Sequence, residues 1–184
     1  MEVEEAYTEA VNSIAERHTR FNNGASMNKI IVYRQIETDD DMFLIYDKTN
    51  GELDYAKKAA KNLNAKLVYV VAVKRRSSRF FGASMGNPRP GTVIDQDVTL
   101  PNRFDFYIVS HAGRKGSVMP TYYFIVHDDL ELPPNVLQQF TFQMCHMYYN
   151  WSGTIKVPAV CQYAFKQAVM CGEVTKMAAG KKLR

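Results

Sequence analysis

The chain alternates apolar runs with a helical segment in its first half. Lys29 to Tyr33 (KIIVY) and Leu67 to Val73 (LVYVVAV) are β-branched runs, and the alanine-rich segment Glu52 to Leu63 between them has helical spacing. The order strand, helix, strand predicts a parallel pair of strands joined by a right-handed crossover. Because Leu67 to Val73 contains no charged position, we expect this strand to be buried on both faces of the sheet.

The remaining segments extend this pattern. Glu4 to Thr19 has apolar residues at helical spacing and is followed by an Asn-Asn-Gly break, so it predicts a first helix. Alternating runs that begin at Phe104 and at Tyr122 predict two more strands of the same sheet. Proline-initiated segments at Pro134 to Tyr149 and Pro158 to Gly172 predict two further helices.

Composition limits the classes of function. The chain has 184 residues, of which 46% are hydrophobic, and this is enough for one domain with a single core. Three cysteines and four histidines show no metal-ligand spacing, so we expect no disulfide framework, no zinc and no other cofactor. No apolar run approaches the roughly 20 residues of a membrane span, and we expect a soluble intracellular protein without a membrane partner.

Two local clusters of cations indicate anion binding better than the net charge of +4 does. Lys74-Arg75-Arg76-Ser77-Ser78-Arg79 directly follows the strongest predicted strand, and such an array can contact successive phosphates. The second cluster lies in the loop between the later two strands, where glycines surround His111, Arg114 and Lys115. The alternative interpretations are a solvated basic strand end and a structural histidine.

Three blocks occur in a recognisable order. They are PGTVID (Pro90 to Asp95), FDFYIVSHAGRKGSVMPTYYFIVHDD (Phe104 to Asp129) and LQQFTFQMCHMYYN (Leu137 to Asn150). In sequence, order and spacing they resemble the C-terminal half of the PIWI domain of Argonaute proteins. The resemblance implies an α/β fold of the RNase H-like type, incomplete, with a central mixed sheet flanked by helices. It also implies a truncated PIWI domain at residues 1–175 and a basic tail at residues 176–184.

The resemblance assigns roles to the cations. Lys74, Arg75 and Arg79 match positions that contact the guide backbone in the family, and His111 matches a histidine that faces the guide seed. The family often has an arginine at Met119, so we expect one phosphate contact to be lost and Arg114 and Lys115 to compensate.

Near the 5′-phosphate pocket the family tyrosine is kept at Tyr148, and Lys156 replaces a serine. An exposed lysine after a turn is the alternative for Lys156. The arginine, tyrosine and arginine positions of that pocket are Asn150, Gln162 and Met170.

The same comparison argues against catalysis. RNase H-like nucleases hold two Mg²⁺ between converging acidic side chains. The family's Tyr-Arg-Asp reads Tyr33-Arg34-Gln35 here, and the family's histidine position is Phe165. The first catalytic aspartate would precede Met1. The remaining glutamate would have to come from Glu2, Glu4 or Glu5. We therefore expect no metal site and no catalytic residue.

The sequence predicts a catalytically inactive PIWI domain that binds a small guide RNA or its duplex with an RNA target in gene silencing. Other silencing proteins are a further class of partner, and the compartment is the cytoplasm, with the nucleus as an alternative. A second hypothesis is a Mg²⁺-dependent endonuclease in which Glu37 or Asp39 to Asp41 replaces the lost ligands. A third is a non-binding remnant that serves as an interaction module.

Three other residues have two interpretations each. Asp128 and Asp129 can cap a helix or act as ligands, and capping is favoured because a proline-started helix follows. Trp151, the only tryptophan, can cover the core or stack on a base, and the core is favoured.

Overall fold

The computed structural model describes residues 2–37, 39–42, 45, 51–113 and 115–175, so Arg114 and the tail at residues 176–184 lie outside the described residues. The helices are α1 (Glu2–Phe21), α2 (Glu52–Asn62), α3 (Pro134–Met144) and α4 (Ala159–Thr175), and Asp39–Met42 forms a 3-10 helix. The strands are β1 (Lys29–Ile36), β2 (Lys66–Val73), β3 (Thr92–Ile94), β4 (Asp105–Val109) and β5 (Thr121–Asp128).

The described strands form one five-stranded mixed sheet in the order β1-β2-β5-β4-β3. β1 and β2 are parallel, with Tyr33 opposite Val70, and the other neighbours are antiparallel. The predicted parallel pair is therefore confirmed, as is the prediction that the two strands around the His111 loop belong to the same sheet, where they are neighbours. β1 lies at one edge of the sheet.

β2 is buried on both faces, as its composition predicts. Tyr69 and Val71 pack in a core cluster with Leu53 and Ala56 of α2 on one side. The alternate residues of β2 pack on the other side with Leu137 of α3. Side chains that point to opposite faces of one strand thus attach helices to both faces of the sheet.

The end of β1 is held from both faces by polar contacts. The Tyr33 hydroxyl lies 2.7 Å from Thr141 Oγ1, and it is the donor because Thr141 donates its own proton to Leu137 O. Arg34 donates to both carboxylate oxygens of Glu52, at 2.6 Å from Nε and 2.8 Å from Nη2. A bidentate pair of this kind fixes both orientation and distance.

The helix predicted for Pro134 to Tyr149 ends earlier, at Met144. The next N–H groups bond three residues back, from Cys145 to Phe142 O and from His146 to Gln143 O, both at 3.0 Å. This tightened turn carries Met147 and Tyr149 into solvent. Spacing alone assigned Met147 to the core of a longer helix, and that assignment is wrong because Met147 is 65% exposed.

None of the described helices has the length and the apolar character needed to cross a membrane. The predicted helix at Glu4 to Thr19 is confirmed, with slightly wider bounds, and α4 begins one residue after Pro158.

Candidate nucleic-acid interface

The side chain of Lys156 connects the segment before α4 to the end of β2. Its Nζ donates a hydrogen bond of 2.7 Å to the carbonyl oxygen of Lys74, the first residue after β2. The carbonyl oxygen of Lys156 accepts hydrogen bonds from Thr121 Oγ1 at 2.7 Å and Ser110 Oγ at 3.2 Å. Because β2 and β4 end and β5 begins at this edge, the contacts bring four chain segments together.

Several cations surround this ammonium. Burial, as the largest cause, and the positive charges of Lys74, Arg79 and Arg75 together lower the pKa of Lys156 to about 8, against an opposing effect of Glu37. Lys74, Arg75, Arg79 and Lys156 are called the basic cluster below. A cluster whose own charges disfavour protonation of one member gains free energy when an anion binds to it.

Two members of the basic cluster are partly engaged with the protein. Arg75 Nε forms an ion pair of 2.9 Å with Glu37 Oε2, and both side chains are exposed. Arg79 Nη1 donates to the carbonyl oxygens of Arg76, Ser77 and Ser78 at 3.0, 3.1 and 2.9 Å. Arg79 therefore also shapes the turn after β2, in addition to carrying charge.

His111 lies beside Lys156. Partial burial lowers the pKa of His111, and the charge of Lys156 lowers it further. Its Nδ1 atom is buried and has no hydrogen-bond partner in the described part of the chain. The ring is therefore neutral at pH 7, so it offers a polar edge to a ligand rather than a charge.

Asn87 holds the loop between β4 and β5, residues 110–120. Its Nδ2 donates to Gly116 O at 2.8 Å, and its Oδ1 accepts from Val118 N at 2.9 Å. A Cβ atom added to Gly113 would lie only 2.6 Å from Val118 Cγ2, so glycine is required for this close approach. His111 and Lys115 are lining residues of an open cleft at this loop.

Tyr148 and Lys156, which the sequence assigned to one pocket, contact different partners. The Tyr148 ring packs against Tyr163, with 5.3 Å between ring centroids. Tyr163 also accepts a hydrogen bond of 2.9 Å from the Tyr149 N–H. Tyr148 thus belongs to the connection between α3 and α4, whereas Lys156 belongs to the basic cluster.

Gln35 and Phe165, the positions at which the resemblance implies metal ligands, have contacts near the basic cluster. Gln35 is the second-to-last residue of β1, and its Nε2 lies 3.4 Å from Glu37 Oε1. Phe165 of α4 is 53% exposed, and Lys74 Nζ lies 6.0 Å from its ring centroid. The amide and the aromatic ring therefore stand at the edge where the cations gather.

The acidic segment after β1 has partners of its own. Glu37 pairs with Arg75, and its backbone N–H donates to Asp41 Oδ2 at 3.3 Å. The side chains of Asp39 and Asp40 lie outside the described residues. Across the described residues, no three His, Cys, Asp or Glu side chains are grouped so that they could hold a metal ion.

Asp128 and Asp129 have structural roles, although not at a helix. Asp128 Oδ1 accepts hydrogen bonds from the N–H groups of Leu130 and Glu131 at 2.8 and 2.9 Å, which closes the turn after β5. Asp129 Oδ2 accepts from Leu67 N, and this bond is the main cause of the lowered pKa of Asp129. The predicted capping of α3 is wrong, since Pro133 stands at its N-cap without a side-chain hydrogen bond, whereas a structural role for both carboxylates is confirmed.

Sequence analysis missed the residues that position the site. Asn87, Ser110 and Thr121 fix the loop and the Lys156 backbone. Hydroxyl and amide side chains in loops and at strand ends are common, so none of them carried a distinguishing signal.

Comparison with known proteins identifies the fold class. The chain superposes on a crystal structure of Drosophila Piwi with a TM-score of 0.74 and 34% identity, over 89% of this chain and 23% of that one. It superposes on Kluyveromyces polysporus Argonaute with a guide RNA with a TM-score of 0.71, over 88% of this chain and 20% of that one. At 24% identity, this second comparison supports a shared fold only. The sheet and its helices are those of an Argonaute PIWI domain, which confirms the predicted RNase H-like fold.

Sequence comparison identifies the family. The model of the Piwi domain matches residues 1–176. Piwi-like protein 1 of Gallus gallus is 46% identical over 150 residues, which are 79% of this chain and 17% of that protein. Piwi-like protein 1 of Danio rerio is 40% identical over 176 residues, 94% of this chain and 20% of that protein. The chain belongs to the Piwi domain family, and it spans about a fifth of the length of these relatives.

Proposed function

We propose that the chain binds the sugar-phosphate backbone of a small guide RNA, or of the guide paired with its RNA target, in RNA-mediated gene silencing. The observation that carries this proposal is the convergence of Lys74, Arg75, Arg79 and Lys156 at one end of the sheet. Phosphate is the ligand that relieves the mutual repulsion of these cations. Base pairing between guide and target supplies the sequence specificity.

Geometry gives the four cations different tasks. Lys156 and Lys74 are joined through the Lys74 carbonyl, so their ammonium groups can meet one phosphate or two successive phosphates. Arg79 holds the turn after β2 through three carbonyl oxygens and so positions its neighbours. Arg75 must exchange its exposed ion pair with Glu37 for a phosphate, and exposed pairs are worth at most about 1 kcal/mol.

Family membership supports a nucleic-acid ligand. Among the related structures, the Kluyveromyces polysporus Argonaute was solved with a guide RNA and the Clostridium butyricum Argonaute with a guide DNA and a target DNA. Other silencing proteins are further proposed partners. We propose the cytoplasm as the compartment, with the nucleus as the alternative.

We further propose that the chain is not a nuclease. An amide at Gln35 is a poor substitute for a carboxylate that bridges metal ions, and the ring of Phe165 cannot ligate Mg²⁺. The cations next to these two positions instead favour retention of the nucleic acid without cleavage.

Binding of a fluorescently labelled single-stranded RNA, measured by anisotropy over a series of salt concentrations, tests the proposal. Replacement of Lys74, Arg75 and Arg79 by alanine should weaken binding equally for unrelated sequences. The slope of log affinity against log salt should fall by about 0.7 to 0.9 for each lost contact.

Lys156→Gln should weaken binding in the same way, and Lys61→Gln on α2 is the charge-matched control. An unchanged salt slope in the triple variant, or equal losses for Lys61→Gln and Lys156→Gln, would remove the basic cluster as the binding site. No measurable RNA binding would contradict the proposal as a whole.

A further inference from the structure

A cleft of about 700 Å³ opens beside the basic cluster. It lies between the loop of residues 110–120 and the segment that follows α3. Its lining includes Pro90, His111, Lys115, Met119, Trp151 and Thr154. The cleft is therefore formed by two loops that the Lys156 backbone joins, through the hydrogen bond from Ser110 Oγ to Lys156 O.

One wall of the cleft is apolar and carries a large aromatic ring. Trp151 is 47% exposed, so about half of its surface is open to solvent at the cleft. A Cβ atom at Gly153 would lie 3.1 Å from Trp151 Nε1, so the missing side chain at residue 153 leaves room for the indole. Met119 and the nearly buried Val118 add apolar surface.

The other wall is polar. His111 is a lining residue whose Nδ1 has no partner within the described residues, and the exposed Lys115 lies on the same loop. A flat ring with polar edges matches this combination of an aromatic face and hydrogen-bonding groups. The apolar wall formed by Trp151, Met119 and Val118 suits a flat ring better than a phosphate, because it offers an anion no charge.

The position of the cleft along the chain favours a nucleotide of the same RNA. Thr154 lines the cleft, and two residues later Lys156 belongs to the basic cluster. Proteins that bind single-stranded nucleic acid combine a basic track for the backbone with aromatic side chains on which bases stack. Here the two parts lie side by side.

We propose that this cleft receives one unstacked nucleobase of the bound RNA, stacked on the Trp151 indole with His111 and Lys115 at its edge. The inference rests on the proposed function, since the basic cluster must hold the backbone. Stacking on an aromatic face tolerates any base, so the cleft adds affinity without adding sequence preference.

Trp151 is the only tryptophan of the chain, so tryptophan fluorescence reports on this cleft alone. A titration of the 184-residue chain with single-stranded RNA should quench this emission. The same backbone without bases, an abasic oligonucleotide of equal length, should bind to the basic cluster and leave the emission nearly unchanged. Anisotropy of the labelled oligonucleotides measures binding independently of the quench.

Trp151→Ala should weaken binding of the RNA by about 5- to 100-fold and leave binding of the abasic oligonucleotide unchanged. Tyr149→Ala, which removes a side chain that is 92% exposed and does not line the cleft, is the matched control. A melting curve for each variant shows that it is folded.

The outcomes separate the two proposals. If RNA binds with the expected salt dependence but neither quenches Trp151 nor depends on it, the base site is wrong and the basic cluster stands. Equal quenching by the abasic oligonucleotide also overturns the base site. Quenching by an aromatic peptide but not by RNA would assign the cleft to a protein partner. If no RNA binds, both proposals fail.

Discussion

Lys156 Nζ donates a hydrogen bond of 2.7 Å to the carbonyl oxygen of Lys74, although 82 positions separate the two residues in the chain. The bond holds one cation close to the others and limits its access to water. The consequence is a lysine whose pKa is lowered to about 8. Two predictions of pH dependence follow from the lowered pKa of Lys156.

The first prediction concerns stability. In the folded chain Lys156 has a pKa of about 8, against 10.5 for an unperturbed lysine, so the unfolded chain binds more protons between these values. The free energy of unfolding should therefore rise with pH above about 8, and it should lack this contribution at pH 7. Lys156→Met should lose the rise, which we expect to be about 1 kcal/mol or less because solvent screens a half-buried ammonium.

Thermal or urea unfolding of the wild type and of Lys156→Met between pH 7 and pH 9.5 measures the difference in their unfolding free energies. Lys61→Met is the control, since it removes a lysine from the exposed face of α2. A constant difference between the wild type and Lys156→Met across this range would contradict the prediction.

The second prediction concerns RNA binding. As the pH rises through about 8, Lys156 loses its charge and the basic cluster loses one phosphate contact. Affinity at constant salt should fall over this range, and Lys156→Arg should bind with much weaker pH dependence because a guanidinium stays charged. Anisotropy at pH 7 and pH 9 checks this, and equal pH dependence of both proteins would count against it.

The third prediction concerns the loop of residues 110–120. Gly113→Ala would place a Cβ atom 2.6 Å from Val118 Cγ2 and 3.1 Å from Asn87 Nδ2, so the loop must shift. We expect a loss of about 1 to 3 kcal/mol in unfolding free energy and weaker RNA binding.

Gly82→Ala is the control, because its Cβ atom would meet no atom closer than 3.8 Å. The double variant with Val118→Ala should recover part of the RNA affinity, since it removes the methyl group that clashes. If Gly113→Ala kept both the unfolding free energy and the RNA affinity of the wild type, the close packing of residue 113 on Val118 would not be needed.

The fourth prediction is that a matched RNA incubated with guide and chain is not cut in Mg²⁺ or Mn²⁺. The physical reason is the neutral amide of Gln35 and the aromatic ring of Phe165 at the positions of two metal ligands. Gel analysis of end-labelled RNA measures it. A single cut at a fixed distance from the guide's 5′ end, abolished by Asp39→Ala or Asp41→Ala, would favour the nuclease hypothesis instead.

The fifth prediction concerns association of the 184-residue chain with itself. β1 is an edge strand of the described sheet, and an apolar groove of about 380 Å³ lies between it and α1. Edge strands next to apolar surface promote pairing between chains. Light scattering should show association at tens of micromolar, and Ile14→Lys, at a groove residue that is 58% exposed, should reduce it.

Val174→Lys is the control for this substitution, since Val174 is also exposed but lies near the end of α4. A monomeric wild-type chain with a sharp cooperative melt would contradict the prediction.

The fold was predictable where a strand is uniformly apolar or strictly alternating. β2 is an example, because its run from Leu67 to Val73 is apolar throughout and is buried at every position. The end of α3 was not predictable, because Met147 and Tyr149 continue an apolar pattern that the structure leaves exposed. Periodicity records which residues are apolar, and it does not record whether a neighbouring element is there to cover them.

The members of the candidate site were predictable one by one, and their grouping was not. Lys74 and Lys156 were both candidates, but in two separate subsites, since nothing in the sequence indicates a contact across 82 positions. Trp151 shows the same limit, because its exposure depends on a glycine two residues later and on the opposite loop.

At the end of β1, the side chain of Gln35 contributes little to the packing of the fold. Tyr33 is hydrogen-bonded to α3 and Arg34 to α2, whereas within the described part of the chain the Gln35 side chain has a single long contact, of 3.4 Å, with Glu37. A carboxylate or an amide at residue 35 should therefore fold equally well. A change of chemistry at this residue would therefore leave the scaffold undisturbed, so under the proposed function the ability to hold RNA would not depend on the residue found here.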